Sequence, residues 1–494
     1  MTPLLADPAL LTRALLPDLI VMGGAMALLL YGVWAPETDT RRSRLLVGSL
    51  VVIAAAMIAV AYTAATLPRV GVGPLATDAF RWVADVVILV ATVLTLMVMR
   101  DHAPRSRWAF AEPAVLVLLA AGGMMLLAAA QDLTLVFLGI ELMSVSSYVL
   151  AGIDRRSARS AEAALKYFLL GAFSTGFLLY GIALLYGATG TTFLPSMGVT
   201  LASGPSLMAT AGLGLLLVGF AFKVAAVPFH LWTPDVYDGA PTPIAGFFAA
   251  AVKAGAFTAL VRVSLVAVTP GLAPWNEAIW WLAALTMVAG NVFAIQQRNL
   301  KRMLAYSSIA HAGFLLVAVV TQTPAGAAAV QFYLLAYALA TIGAFAVLSA
   351  VGEGPDGILH AKRLEGLWQI RPGLAMSMAV FMLALLGFPL AGGIGFFAKW
   401  YVLQAALQAP APQTALAITL VVATVASATF YLYVVMVMFM RPRPEGADDP
   451  VPTPALTQVV IGTAVTVILL FGVYPTPLVS VARSTAAASF PAGR

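Results

Sequence analysis

Cysteine is absent from all 494 residues of the sequence. This absence excludes disulfides and a cysteine-ligated iron–sulfur cluster from the chain. No glycine-rich loop follows a strand pattern, so the chain has no nucleotide site of its own for NAD or ATP. Only 10% of the residues are charged, and the net charge of +6 arises from basic residues in the loops between apolar segments. That distribution sets membrane topology and does not indicate a nucleic-acid-binding surface.

Long apolar segments take the place of the missing charge. Hydrophobic residues make up 61% of the chain, and runs of about 20 apolar residues recur from end to end. The alternating segments of about ten residues that a membrane β-barrel needs are absent. The first apolar segment, Ala14 to Trp34, is longer than a signal-peptide core, and we interpret it as a membrane helix. The sequence therefore predicts an all-α polytopic membrane protein.

The apolar runs predict fourteen transmembrane helices, and the basic residues agree with this number. Lys and Arg concentrate in the odd-numbered loops, whereas the even-numbered loops carry Arg69, with Arg81 at the start of the third helix. The positive-inside rule then places the odd loops in the cytoplasm and both termini outside. The predicted helices are 14–34, 44–65, 79–99, 113–130, 132–151, 161–187, 206–229, 242–267, 276–297, 303–321, 325–351, 373–408, 413–440 and 454–474. The basic residues of the odd loops are Arg41, Arg42, Arg44, Arg100, Arg105, Arg107, Arg155, Arg156, Arg159, Arg298, Lys301, Arg302, Lys362, Arg363, Arg371, Arg441 and Arg443.

Proline and glycine interrupt two of the predicted helices. Pro228 breaks the end of the seventh helix, and Gly387-Phe388-Pro389 interrupts the twelfth. These helices lie five apart, so they cross the membrane in opposite directions, which is the pattern of inverted repeats with a site at the midplane. We predict two inverted five-helix repeats, helices four to eight and nine to thirteen. The predicted divisions are a three-helix flank at 1–112, the repeats at 113–267 and 268–440, and a final helix and tail at 441–494.

Five ionisable side chains are predicted well inside the apolar helices: Glu141, Lys166, Lys223, Lys253 and Lys399. A charge at the bilayer centre costs about 2.5–3.5 kcal/mol on insertion scales, and such residues are by default functional. Glu141 has two interpretations, a static ion pair with a lysine or a coupled pair that lets a proton move. Lysine suits proton transfer because burial favours its neutral form, so it can both take and release a proton.

The position of each lysine in its helix separates these candidates. Lys253 lies mid-helix among small residues and cannot easily snorkel, that is, extend its charged end to the membrane surface. Lys223 and Lys399 each accompany a helix break, and for them too we favour proton transfer. Lys166 lies near the cytoplasmic end of the sixth helix, where snorkelling and function explain it equally well. His230 and His311 fit either a proton relay or a hydrogen-bonded structural role.

Three further charged residues have structural interpretations. Arg262, near the outer end of the eighth helix, is interpreted as a snorkelling residue at the membrane surface. Asp235 and Asp238 lie in the loop that follows the seventh helix, and we expect them to order that loop more than to take part in catalysis. The tyrosines and tryptophans are mostly interpreted as interfacial belts.

Four motifs carry a resemblance that covers nearly the whole chain. Together they resemble the subunit N family of NADH–quinone oxidoreductase, bacterial respiratory complex I, and the helix-six motif separates that family from its paralogues. Subunits of cation/proton antiporters share the helix-five Glu and helix-seven Lys, and they remain the alternative. The chain also departs from the family, with Leu390 after Pro389 and Val252 before Lys253 where proline is common. The motifs are SAEAALKYFLLGAFSTGFLLYGIALLYGATGTT, FKVAAVPFHLWTPDVYDGAPTP, NLKRMLAYSSIAHAGF and GFPLAGGIGFFAKWYV.

The resemblance implies a proton path through this chain. Glu141 and Lys223 would be the coupled pair, Lys253 the central relay and Lys399 the terminal group, with Lys166 modulating the pair. It implies no cofactor here, and NADH, FMN, iron–sulfur clusters and quinone in partner subunits. The implied partners are other membrane-arm subunits, the lipid bilayer and protons, in a bacterial cell inner membrane. A third interpretation is a scaffold whose buried charges are only structural.

Overall fold

The computed structural model describes a bundle of helices, and its described residues form no β-sheet. Thirteen of the described helices are long and apolar enough to cross a membrane. The shorter helices Pro372–Leu386 and Ile394–Gln408 follow each other and supply the fourteenth crossing. The residues described are 7–34, 38–69, 71–105, 108–268, 272–352, 358–389, 392–444 and 452–490; Arg107 and Leu390 lie outside them.

We number the membrane helices α1 to α14, with α12a and α12b for the two parts of the twelfth. Their bounds agree with the predicted ones to within a few residues, except at the start of α2, the end of α7 and the break in α12. The helices are α1 Leu16–Trp34, α2 Asp39–Thr66, α3 Ala79–His102, α4 Ala111–Ala129, α5 Leu133–Ala151, α6 Ala158–Thr189, α7 Leu207–Val224, α8 Thr242–Val266, α9 Ala273–Ile295, α10 Leu300–Val320, α11 Pro324–Val351, α12a Pro372–Leu386, α12b Ile394–Gln408, α13 Thr414–Met440 and α14 Ala455–Val473.

Short polar side chains fix where several helices begin. The Asp78 carboxylate accepts from the Arg81 amide at the start of α3, and Asp132 accepts from the Thr134 amide at the start of α5. Asn299 accepts from the Lys301 amide at the start of α10. Each cap satisfies an amide that the first helical turn leaves unpaired, which is costly where water is scarce.

The seventh helix ends earlier than Pro228 alone predicts. α7 stops at Val224 because Ala225 adopts a left-handed conformation with φ 61°. The short helix Trp232–Gly239 follows at the same end of the bundle. Lys223 therefore lies in the last turn of α7, where the partial negative charge of the helix carbonyl end favours a cation.

Glycine allows the break in α12. Gly387 ends α12a with φ 73°, and Gly393 precedes α12b with φ 53°, both in the region that favours glycine. A Cβ on Gly395 would lie only 2.0 Å from the Ala384 carbonyl oxygen, so the two parts approach too closely for any side chain there. The predicted interruption of the twelfth helix is thus confirmed, and it leaves carbonyl groups at the end of α12a free to bind a cation.

The two helix series pack in corresponding pairs, as expected for inverted repeats. α4 packs along α5 as α9 packs along α10, and α4 contacts α8 as α9 contacts α13. α8, α10 and α11 form the buried centre, while α1, α6 and α14 are largely exposed. The fold is an all-α polytopic membrane protein with two inverted five-helix repeats. The division at residues 112, 267 and 440 stays a prediction.

Candidate functional site

Lys223 is buried and held by neutral oxygen atoms. Its Nζ donates to Ser144 Oγ at 2.7 Å and to Tyr148 Oη at 3.3 Å, both on α5. Ser144 in turn donates to the Ile140 carbonyl. Because residues three and four apart share a helix face, the face of α5 that carries Glu141 also presents Ser144 and Tyr148 to Lys223.

Glu141 lies near Lys223 but does not bind it. Glu141 is close enough for its charge to act on both Lys223 and Tyr148, yet Glu141 Oε1 is buried without a hydrogen-bond partner among the described residues. No nitrogen–oxygen contact within 4.0 Å joins the two side chains in the part of the chain that the structure describes. The static ion pair considered from the sequence is therefore not formed in this conformation.

Aromatic rings fill the space between Lys223 and α8. Tyr148 contacts Tyr167 edge to face at 4.8 Å, and Tyr167 stacks on Trp232 at 4.4 Å with an interplanar angle of 5°. Tyr167 also meets Phe248 of α8, with ring centroids 5.8 Å apart. A tightly packed aromatic cluster therefore lies between Lys223 and α8, the helix that carries Lys253.

Lys253 occupies the centre of the bundle. A π-helical turn, Phe248–Val252, immediately precedes it, and such turns are frequent at functional sites. Its Nζ donates to the Ser308 carbonyl of α10 and lies 5.8 Å from the Tyr337 ring centroid. Its residue exposure is 2%, so the side chain has no route to the membrane surface.

His311 joins several hydroxyl groups next to Lys253. Its Nδ1 lies 2.6 Å from Tyr333 Oη and its Nε2 lies 3.0 Å from Tyr431 Oη. Tyr431 also forms a hydrogen bond with Ser307, one turn before His311 on α10. Imidazole and phenol groups can both donate and accept, so this buried network is able to pass a proton.

Lys399 lies at the break in α12. Its Nζ donates to the Leu386 carbonyl at 2.9 Å and lies 4.6 Å from the Phe314 ring centroid. A cavity of about 10 Å³ separates Lys399 from His311 and Tyr333. That volume is close to the roughly 10–15 Å³ that one water molecule requires.

Lys166 belongs to a different ion network, at the end of the bundle where α7 stops. Its Nζ binds Asp235 Oδ2 at 2.7 Å and Glu162 Oε1 at 2.6 Å, and Arg302 binds the second Asp235 oxygen at 2.6 Å. Burial alone raises the pKa of Asp235, but the hydrogen bonds from Lys166 and Arg302 outweigh it and hold that pKa below its ordinary value. Asp238 similarly joins Arg159 to Asn299. Asp235 and Asp238 lie in the short helix Trp232–Gly239, where the sequence predicted a loop, and they hold that helix against α6 and the start of α10.

His230 lies apart from the other candidates. It packs against Phe293 of α9 with ring centroids 6.5 Å apart, and its Nδ1 has no hydrogen-bond partner among the described residues. In this conformation it contacts neither Lys223 nor Lys253. His311, by contrast, lies with Lys399 around the small cavity.

The snorkelling interpretation of Arg262 is wrong. Its side chain is 1% exposed and binds both oxygens of Asp78, at 2.5 and 2.9 Å. Sequence reasoning also missed Asp18 and Asp85, buried in α1 and α3. Asp85 interrupts the run Val83 to Val98 and could have been found by the criterion that selected Lys253.

The comparisons with known proteins agree with this arrangement. Residues 130–427 match the family model described as NADH:quinone oxidoreductase/Mrp antiporter, transmembrane. NADH-quinone oxidoreductase subunit N of Gemmatimonas aurantiaca is 52% identical over an alignment of 493 positions, which covers 97% of this chain and 94% of that protein. The chain belongs to the NADH-quinone oxidoreductase subunit N family. A second subunit N, from Trichlorobacter lovleyi, is 44% identical over 80% of this chain and 81% of its own length.

Solved structures share the fold of this subunit N family member. A chain of respiratory complex I from Thermus thermophilus has a TM-score of 0.79 and 38% sequence identity, and the match covers 94% of this chain and 98% of the Thermus chain. A chain of the Mrp complex from Dietzia has a TM-score of 0.80 but 23% identity, covering 96% and 98%, and so shares the fold alone. The resemblance predicted from the four motifs is confirmed, and the sequence, not the fold, separates the subunit N family from the Mrp chain.

Proposed function

We propose that this chain is a membrane-arm subunit that carries protons across the bilayer, coupled to electron transfer from NADH to quinone. The redox groups, namely FMN, iron–sulfur clusters and quinone, belong to partner subunits. Support comes from the membership of the subunit N family and from the three buried lysines. The odd loops face the cytoplasm of a bacterial cell and both termini face outside, as the positive-inside rule predicts.

One observation carries the proposal. Lys223, Lys253 and Lys399 are each at most 6% exposed, and each is bound by neutral oxygen atoms, with no carboxylate in contact within the described residues. A purely structural ammonium deep in the bundle is best compensated by a carboxylate, because its charge is otherwise poorly balanced. A lysine that must exchange a proton is better placed without a carboxylate partner. Its charged and neutral forms are then closer in free energy, so it can both bind and release the proton.

The residues divide the transfer into steps. A change in the charge or position of Glu141 alters how well Lys223 holds its proton, since Glu141 acts on it without contact. The proton then passes the aromatic cluster to Lys253, and the hydroxyl groups around His311 together with the small cavity lead to Lys399. Lys166 acts indirectly, because it fixes α6 through Asp235. Transport requires two states that differ in how strongly these lysines bind protons.

Lys253→Met tests the central step. Methionine keeps the length and apolar bulk of the side chain but cannot carry a proton. We expect normal assembly, with proton uptake into membrane vesicles and NADH–quinone turnover both severely reduced per assembled complex. Lys253→Arg fails as well, because a guanidinium stays protonated and holds charge without passing it on.

Lys301→Met is the matched control. Lys301 is also a buried lysine, 1% exposed, but it binds the Ala240 carbonyl near the end of the bundle. We expect that variant to pump normally per assembled complex. Wild-type pumping by Lys253→Met would favour the scaffold interpretation and remove Lys253 from the path.

The antiporter alternative draws on the shared fold of the Mrp chain. It predicts co-purification with other antiporter subunits and no NADH oxidation. Isolation of the native assembly distinguishes the antiporter alternative from the proposed function, since the proposed function requires partners that oxidise NADH and contain iron–sulfur clusters. An assembly without such partners would contradict it.

A further inference from the structure

A second group of buried charges lies outside the three lysines. Asp18 of α1, Asp78 before α3, Arg81 and Asp85 of α3, and Arg262 of α8 have side chains at most 7% exposed. We call these five residues the aspartate–arginine cluster. None of them takes part in the path proposed above, and burying so many charges in a membrane helix bundle needs a reason.

Two ion pairs hold the cluster together. Arg262 binds Asp78 through two hydrogen bonds, of 2.5 and 2.9 Å. Arg81 binds Asp18 Oδ2 at 2.7 Å and the Ala76 carbonyl at 2.9 Å. Each arginine thereby compensates one aspartate.

Asp85 is left as a surplus acid. Its Oδ2 lies 3.4 Å from Arg81 Nε but without the geometry of a hydrogen bond, and neither of its oxygens has a hydrogen-bond partner among the described residues. The charged groups that face it are Arg81 on its own helix, Asp18 of α1 and Arg262 of α8. Three carboxyl groups thus face two guanidinium groups that stay protonated. A bound proton on Asp85 makes the buried cluster neutral, which an apolar interior strongly favours.

The depth of Asp85 matches that of Lys253. The Arg262–Asp78 pair aligns the end of α8 with the start of α3, and α3 packs against α8, including its π-helical turn. At 1.5 Å per residue, Asp85 lies about 10 Å deeper than Asp78, and Lys253 about 13 Å deeper than Arg262. The two groups therefore differ in depth by less than one helical turn.

We propose that Asp85 is a proton-binding group that receives protons from Lys253 and releases them at the membrane face where α3 begins. This inference rests on the proposed function and adds a second exit to the one at Lys399. The Asp85 O–H bond breaks first, and the carboxylate is stabilised by Arg81. An N–H bond of the Lys253 ammonium then breaks, and the O–H bond of Asp85 forms again. The proton that leaves Asp85 forms an O–H bond with the unpaired Asp18 Oδ1, the next acceptor on the route, and nothing is oxidised or reduced.

Asp85→Asn tests the proposal in the assembled complex. Asparagine keeps the size and neutral charge of a protonated carboxyl group but cannot release a proton. A purely structural Asp85 therefore predicts full activity. We instead expect proton uptake and coupled turnover per assembled complex to fall at least about threefold. This is less than the roughly 10²–10⁴-fold effect of a positioned proton-transfer group, because the exit at Lys399 remains. Asp85→Glu keeps the carboxyl group and restores most of the activity.

Asp101→Asn is the matched control on the same helix. Asp101 is also buried, but its Oδ2 accepts from both the Thr457 amide and hydroxyl, so it holds the start of α14. We expect the Asp101→Asn variant to pump protons normally per assembled complex. An equal loss in Asp101→Asn and Asp85→Asn overturns the inference, because the effect would then not be specific to the surplus acid.

Lys253→Met, measured in parallel, separates this inference from the proposed function. Loss in Lys253→Met with full activity in Asp85→Asn overturns the inference and leaves the proposed function standing. Full activity in both Lys253→Met and Asp85→Asn overturns the inference and the proposed function together. If Asp85→Asn does not assemble, the infrared difference between resting and turning-over wild-type complex decides. We expect the difference spectrum to contain the C=O stretching band of a protonated carboxyl group, and the frequency of that band to shift in Asp85→Glu. A band at the same frequency in wild type and Asp85→Glu overturns the inference.

Discussion

Lys223 Nζ donates to Ser144 Oγ at 2.7 Å. Ser144 lies one helical turn after Glu141 on α5, but the Glu141 carboxylate binds neither Ser144 nor Lys223. The acid and the lysine are thus held near each other without neutralising each other. In this arrangement a movement of either helix changes the electrostatic energy of the pair, since Coulomb energy varies inversely with distance.

Glu141→Gln is expected to abolish most coupled NADH–quinone turnover while assembly stays intact. Glutamine keeps the size of the side chain and removes the charge that acts on Lys223. Glu141→Asp keeps the charge and is expected to be milder. The exposed Glu112, which pairs with Arg155 at 3.4 Å, provides the control, and Glu112→Gln is expected to be silent. Near-normal turnover in well-assembled Glu141→Gln would refute the coupling role.

Lys166 is expected to behave as an anchor of α6. Lys166→Arg retains a cation opposite Asp235 and Glu162, so we expect turnover close to wild type. Lys166→Ala leaves Asp235 bound by Arg302 alone. We expect turnover to fall by less than about twofold, because partly exposed ion pairs contribute only about 0–1 kcal/mol to stability. A drop well below half in properly assembled Lys166→Ala would instead show that Lys166 tunes the Glu141–Lys223 pair.

Arg262→Gln is expected to impair assembly severely. It leaves the buried Asp78 carboxylate without its partner, and breaking a buried pair in this way costs about 3–5 kcal/mol. Burial raises the pKa of Asp78, but the Arg262 guanidinium outweighs burial and holds that pKa below its ordinary value. The double variant Arg262→Gln/Asp78→Asn removes both charges, so we expect it to assemble better than the single variant. The yield of assembled complex is the measurement, and an equal yield from both variants would contradict the pairing.

The Asp235 network is expected to lose its effect in acid. The pKa of Asp235 in the folded protein lies below its ordinary 3.8. The ionised carboxylate therefore stabilises the folded protein fully above that ordinary value, and the contribution disappears as the pH falls through the lowered pKa. We expect the difference in Tm between wild type and Asp235→Asn to be constant from about pH 6 to 8 and to shrink below about pH 4. A constant difference down to the lowest pH would show that the charge of Asp235 contributes nothing.

The sequence predicts most of the membrane helices because each crossing needs a long apolar run and the basic residues concentrate in alternate loops. It also predicts the positions of Lys253 and Lys399, since few other residues interrupt those runs. The end of α7 could not be predicted, because nothing in the sequence indicates that Ala225 adopts a left-handed conformation.

Side-chain partners were predicted less well than helices. The aspartate–arginine cluster combines α1, α3 and α8, which are far apart in the sequence, so Arg262 alone looked like a residue at the membrane surface. Ser144 and Tyr148 lie three and seven residues after Glu141, and helical spacing could have placed them beside Lys223. The aromatic cluster around Tyr167 depends on the short helix Trp232–Gly239, whose course the sequence does not specify.

The contact between Lys399 and the Leu386 carbonyl has a mechanical consequence. An ammonium binds the carbonyl end of α12a much more strongly than a neutral amine does, because it is a charged donor at the negative end of the helix dipole. If Lys399 exchanges protons as proposed, each departure of a proton would loosen the joint between α12a and α12b, and each arrival would tighten it. The break in the twelfth helix would then act as a hinge whose stiffness follows the charge on one side chain, and a transported proton would do mechanical work on the bundle as it leaves.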